Sequence, residues 1–151
     1  MAPREDKGEK LDRELGELLQ ELRVMLPGVQ VLFAFLLTVP FSQRFGRLTR
    51  AEEALFLAAL ISAAVASALL IAPSAFHRIL FRERDKEWLI TFSNRLALGG
   101  TAALAVSMTC ALFLVAEFIY GSALASGVAA GMGTAFILLW YALPLARRMR
   151  G

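Results

Sequence analysis

Four long apolar stretches, separated by short polar ones, organise this sequence, at approximately residues 24–41, 54–72, 96–120 and 123–145. An α-helix rises ~1.5 Å per residue, so about twenty residues cross a hydrocarbon core ~30 Å thick. The pattern predicts an all-α fold: an integral membrane four-helix bundle with one span per stretch. Ahead of the first span, Leu11, Leu15, Leu18, Leu22 and Met25 recur at alternating spacings of four and three, with Leu19 beside them. Asp12, Glu14, Glu17 and Glu21 occupy the other face, which makes residues 9–23 an amphipathic cytoplasmic helix. Its polar face is too acidic for a membrane-surface helix, and the repeat covers barely two heptads, short for a coiled coil. Packing under the bundle, or against the same helix of a neighbour, is the preferred reading.

Local punctuation sets the boundaries. Residues 1–8 read as a disordered tail. Pro27 and Gly28 predict a bend between the amphipathic helix and the first span, and Pro40 marks its exit. Residues 42–50 form a connection in which Thr49 and Glu52 fit a capping box. Pro73 predicts a kink, with the helix resuming over 75–81 before a charged turn at 82–87. The third helix starts near Trp88, and a short connection at Gly121 and Ser122 leads to the fourth span. Residues 147–151 form a basic C-terminal tail, completing a transmembrane domain over 24–146.

Composition agrees with membrane insertion. Of 151 residues 58% are apolar and 19% charged, with mean hydropathy +0.60; a soluble chain carries about half and about a quarter. The net charge of +3 sits beside apolar runs, which suits lipid headgroups and not nucleic acid. The first apolar run is long enough to stay in the membrane, so no cleavable signal peptide is expected. Arg23, Arg78, Arg82, Arg84, Lys86, Arg147, Arg148 and Arg150 fall on one side, against Arg44, Arg47 and Arg50 on the other. The excess predicts an inner-membrane protein with both termini cytoplasmic. Trp88, Trp140 and Tyr141 then lie at the cytoplasmic boundary and Tyr120 at the outer one.

Helices in lipid associate through close packing, which small residues permit. Ala59, Ala63 and Ser67 form such a stripe on the second span, Gly99, Ala103, Ser107 and Ala111 on the third, and Gly127 and Gly131 on the fourth. Packing within one bundle explains all three stripes. The Gly127-x-x-x-Gly131 stripe also suits contact with a second subunit, and a homo-oligomer is expected.

Polar side chains inside spans are costly, so each is a functional candidate. Gln30 lines a solvated path or bonds to a neighbouring helix, and Thr38 lies near the end of the same span. An antiparallel hairpin turning near 82–87 brings His77 roughly opposite Asn94 and Arg95, a group suited to proton relay or to simple hydration at headgroup depth. Glu117 is either an ion-binding carboxylate or reaches water beyond Tyr120. Cys110, the single cysteine, reads as a packing residue. With one His, one Cys, no phosphate loop and no serine elbow, neither an enzyme, a metal site nor a cofactor is expected.

Three runs carry a family resemblance: Glu21 to Val24 with Gly28 to Gln30, Leu32 to Phe41 with Arg44 and Phe45, and Ala72 to Arg78. Over roughly residues 17–120 the chain resembles an uncharacterised family of small actinobacterial four-helix membrane proteins, a domain of unknown function. The resemblance implies a short multi-span membrane protein. Some members are loosely labelled sodium:proton antiporter; such exchangers are usually far longer, built from repeats with broken helices and midplane carboxylates. No carboxylate lies near the centre of any span here. Two functional readings remain: an oligomeric ion channel or transporter with its path between subunits, and a non-conducting scaffold or regulatory subunit whose N-terminal amphipathic helix meets a cytoplasmic protein partner.

Overall fold

The computed structural model describes residues 7–43, 45–79 and 86–150, and every regular element among them is helical. Helix α1 spans Lys7–Thr38, and two 3-10 turns, Val39–Phe41 and Phe45–Arg47, lead to α2 (Arg50–Ile79). Helix α3 (Lys86–Tyr120) is followed by α4 (Ser122–Ile137), which passes through a π-helical turn (Leu138–Ala142) into α5 (Leu143–Arg150). Four helical rods, the last made of α4, the π turn and α5, are long and apolar enough to cross a membrane. Helices α1, α2 and α3 hold 32, 30 and 35 residues, so each is about 45–53 Å long and overshoots a ~30 Å core.

Several boundaries differ from the sequence reading. Helix α1 begins at Lys7, inside the expected tail, and Arg147 to Arg150 are helical. The amphipathic helix and the first span are one unbroken helix. Pro27 and Gly28 are both exposed, so the proline ring and the carbonyl it deprives of a partner sit away from the packed face and do not end the helix. Pro73, by contrast, is buried, and α2 continues through it to Ile79. Residues 1–6 of the tail, Arg44, and residues 80–85, with Arg82 and Arg84, lie outside the described residues.

A seven-residue spacing runs through three helices. On α1, Leu15, Leu22, Val29 and Leu36 are all buried, with Leu18, Met25 and Leu32 half-buried between them and Leu11 half-buried ahead of them. The repeat that seemed too short therefore continues through Val29, Leu32 and Leu36 into the membrane. On α2 the buried positions are Phe56, Ala59, Ala63, Ala66, Leu70 and Pro73, alternating by three and four. On α3, Ser93, Gly100 and Ser107 are buried and seven apart. A sustained period of 3.5, below the helical 3.6, implies left-handed winding of these three helices.

The α2–α3 seam is the most extensive contact. Gly100 sits so close to α2 that a Cβ there would lie 2.7 Å from Leu70 Cγ. Ser107 Oγ donates to the Ala59 carbonyl at 2.8 Å, crossing the seam. At one end Phe76 packs edge-on to Phe92, ring centroids 5.3 Å apart. Helix α1 lies against both α2 and α3. The Thr49 capping box starts α2: Thr49 N–H donates to Glu52 Oε2 (2.6 Å), and Glu52 N–H donates to Thr49 Oγ1 (3.3 Å).

Helix α4 touches α3 but neither α1 nor α2 among the described residues. The chain is thus a three-helix unit with a fourth rod laid on one side. Gly121, at φ 89° and ψ 169°, makes the one-residue turn that begins this rod, a conformation essentially restricted to glycine. Ala125, half-buried Gly133 and buried Phe136 dock on α3. The π turn then adds a residue, so that Tyr141 rather than Trp140 reaches α3, where its hydroxyl donates to the Leu98 carbonyl (2.9 Å) and meets Thr101 Oγ1 at 2.7 Å. Pro144 follows at once, and widening the preceding turn relieves the clash of its ring with the carbonyl four residues earlier.

Two outcomes follow from this packing. Gly100→Ala is expected to lower stability by about 1–3 kcal/mol through overpacking, and Gly99→Ala by clearly less, because its nearest neighbour is the flexible Leu69 Cδ1 at 3.3 Å; unfolding in mixed detergent micelles compares them. Tyr141→Phe removes interhelical hydrogen bonds worth about 0.6 kcal/mol each. Hydrogen exchange should rise over residues 138–150 while α1 to α3 keep their protection.

Candidate functional site

Within the predicted spans, residues 24–41, 54–72, 96–120 and 123–145, the amide and charged residues are Glu117, in the last turn of α3, and Gln30. The packing clusters fix its depth. Leu36 groups with Ala59 of α2 and Ala111 of α3, and Val29 groups with Ala66 of α2 and Leu104 of α3. Gln30, next to Val29, is therefore level with Leu104. Contacts of Tyr141 with Thr101 and of Gly133 with Thr109 bring Arg147 level with Arg95. These two exposed arginines mark one edge of the apolar zone; Glu117 and Tyr120 mark the other. Gln30 lies about 14 Å from the first edge and roughly 20 Å from the second, at ~1.5 Å per residue.

At that depth the Gln30 side chain is exposed, on the face of α1 turned away from its heptad stripe. No hydrogen bond from a described residue satisfies it. The interior of the three-helix unit is different. Its hydroxyls bond to carbonyls: Ser107 to Ala59, Ser67 to Ala63 at 3.0 Å, and Thr109 to Ala105 at 2.8 Å. Among the described residues only Ser93 Oγ is buried without a partner. Apolar residues, Val29, Phe56 and Pro73 besides alanine, glycine and leucine, fill the rest, so the polar groups of the described residues trace no path along the axis of one protomer.

The other candidates fall at the two ends. Thr38 is exposed in the last turn of α1, where its Oγ1 donates back to the Phe35 carbonyl at 2.7 Å. Glu117 is half-buried in the last turns of α3. His77 is half-buried near the end of α2 and has an interaction partner. The register set by Phe76 and Phe92 makes it level with Thr91, about one turn from Asn94 and Arg95, and both of those are exposed. The hairpin keeps these three at one end but does not gather them into a closed site.

Of the small-residue stripes, Ala59, Ala63 and Ser107 are buried at the α2–α3 seam, with Ser67, Gly99 and Ala103 half-buried beside them. Gly127 and Gly131 are exposed, and a Cβ on either would meet nothing within 4 Å. That stripe is unused within the protomer. Cys110 is half-buried and packs beside the Leu36 cluster. Sequence reasoning missed Gly100, whose neighbour Gly99 stood in the stripe, and the buried Ser93. Seven-residue spacing from Ser107 finds both.

The model of a family of unknown function, DUF6328, matches residues 4–144. No characterised protein sequence and no solved structure matches the chain. With nearly its whole length matched and four helices fit to cross a bilayer, this small membrane protein belongs to the DUF6328 family.

Proposed function

We propose that the chain is a homo-oligomeric inner-membrane protein that provides a polar pathway for ions between its subunits, with both termini on the cytoplasmic side. One observation carries this reading: the exposed, unsatisfied amide of Gln30 at mid-membrane depth. Facing lipid it is costly, and such groups turn toward protein or water-filled cavities. Within one protomer neither is at hand, because Gln30 faces away from the packed unit. A second copy against this face of α1 provides acceptors for the amide, and the same face carries Pro27, three residues away and also exposed. The exposed Gly127 and Gly131 stripe offers a further contact surface on α4. The asymmetry of arginines along the chain supports the orientation.

The scaffold alternative loses its main element. Leu15 and Leu22, the centre of the stripe meant for a partner, are buried within the protomer. What remains exposed on the N-terminal part of α1 is a charged face with i,i+4 pairs such as Lys10–Glu14 and Arg13–Glu17, each at 3.8 Å, and such exposed pairs contribute about 0–1 kcal/mol.

Light scattering corrected for bound detergent gives the protein mass of the purified complex. A defined oligomer is expected. Gln30→Leu is expected to weaken association by about 1 kcal/mol per contact, roughly fivefold in the association constant, and to abolish ion flux in liposomes. A monomeric wild type, or unchanged mass and flux in Gln30→Leu, rejects the proposal.

A further inference from the structure

The end of the bundle opposite the chain termini contains a cavity of about 420 Å³, a size within the about 300–1,000 Å³ of small-molecule sites. It exists because α1 stops at Thr38, before Pro40, while α3 continues to Tyr120. The intervening chain crosses in two 3-10 turns that do not fill the space between them. Leu36, Phe56, Leu114 and Phe118 give it apolar walls, and Phe45 lies edge-on to Phe56 with ring centroids 5.3 Å apart.

The polar groups at this cavity are unequal. Glu52 is one of its lining residues, but its Oε2 already accepts two hydrogen bonds from Thr49, from the N–H at 2.6 Å and from Oγ1 at 2.7 Å. Arg47 also lines the cavity, is exposed, and has no carboxylate within ion-pair distance among the described residues. Arg50 is close by in sequence and exposed as well. An apolar recess with a guanidinium at its edge that no described carboxylate pairs, at the boundary of the apolar zone, has the chemistry of an amphiphile site with an anionic head.

We propose that this cavity holds one acyl chain of an anionic glycerophospholipid from the surrounding leaflet, with its phosphate against Arg47. The occupant is a bilayer lipid because the recess adjoins Val39, Val115 and Phe118 near the end of the membrane zone. It is anionic because a zwitterionic head brings its own cation to the one that Arg47 already supplies. The site is independent of Gln30 and of subunit number.

Native mass spectrometry of the delipidated protein, given equimolar dioleoyl phosphatidylglycerol and dioleoyl phosphatidylcholine, tests this. The phosphatidylglycerol adduct should exceed the phosphatidylcholine adduct about fivefold, as one interfacial arginine supplies about 1 kcal/mol. Arg47→Gln, an exposed change that leaves the packing intact, should bring the ratio near one. Leu114→Trp fills the cavity and should remove the retained adduct, with circular dichroism checking that the helices persist. Equal retention of both lipids by the wild type overturns the proposal. So does a preference that survives Arg47→Gln and disappears in Arg147→Gln, which places recognition at the other end of the bundle.

Discussion

Lipid tails surround a helix with material as apolar as leucine, so burying apolar area gives little reason for two helices to meet in a bilayer. What remains is close contact, and here it is concentrated where Gly100 lets α3 approach the Leu70 side chain of α2. Ala59, Ala63 and Ala66 extend that approach along α2, and Ser107 secures it with a hydrogen bond to the Ala59 carbonyl. Each of these contacts is small. Their number along a hairpin of two helices, both longer than the membrane is thick, makes the seam the frame on which the rest is assembled.

Helix α1 uses that frame differently. Its buried positions are large, Leu15, Leu22, Val29 and Leu36, and they lie along the paired helices at the seven-residue period that α2 and α3 also follow. The repeat takes no account of the membrane boundary. Leu15 is buried beyond the span in an acidic, water-facing stretch, and Leu36 near the far edge of the apolar zone. One rod therefore joins the part of the protein in water to the part in lipid. A proline on its exposed face leaves the joint intact, because the lost hydrogen bond lies on the side where nothing is packed.

The fourth rod completes the span count without completing a symmetrical bundle. Among the described residues it meets α3 alone, is anchored at one end by Tyr141 through the π turn, and starts from a glycine whose backbone conformation is closed to other residues. Two features are consequently left on the outer surface: the Gln30 face of α1 and the glycine stripe of α4. A polar amide and a groove of small residues are the usual materials of helix association in membranes. The protomer employs such materials at its seam and leaves these two outside.

The sequence by itself determined the number of apolar helices long enough to span and the capping box at Thr49, and it displayed small residues at four-residue spacing on the second and third of those helices. Each of these is set by neighbours in the chain: run length against bilayer thickness, a hydroxyl three residues from a carboxylate, alanine and glycine at four-residue spacing. Only the tertiary structure decided which face of each helix is covered. Periodicity gives a stripe but not its occupant, and so Gly99 and Gly100, adjacent in sequence, differ in contact for reasons that lie on α2. The same holds for Gln30, whose spacing is compatible with an inward or an outward position until Val29 beside it is seen buried in one cluster with Ala66 and Leu70 of α2. The cavity beside Arg47 was invisible for a further reason. It is a volume left between three helices of unequal length, and no local run of residues records a gap.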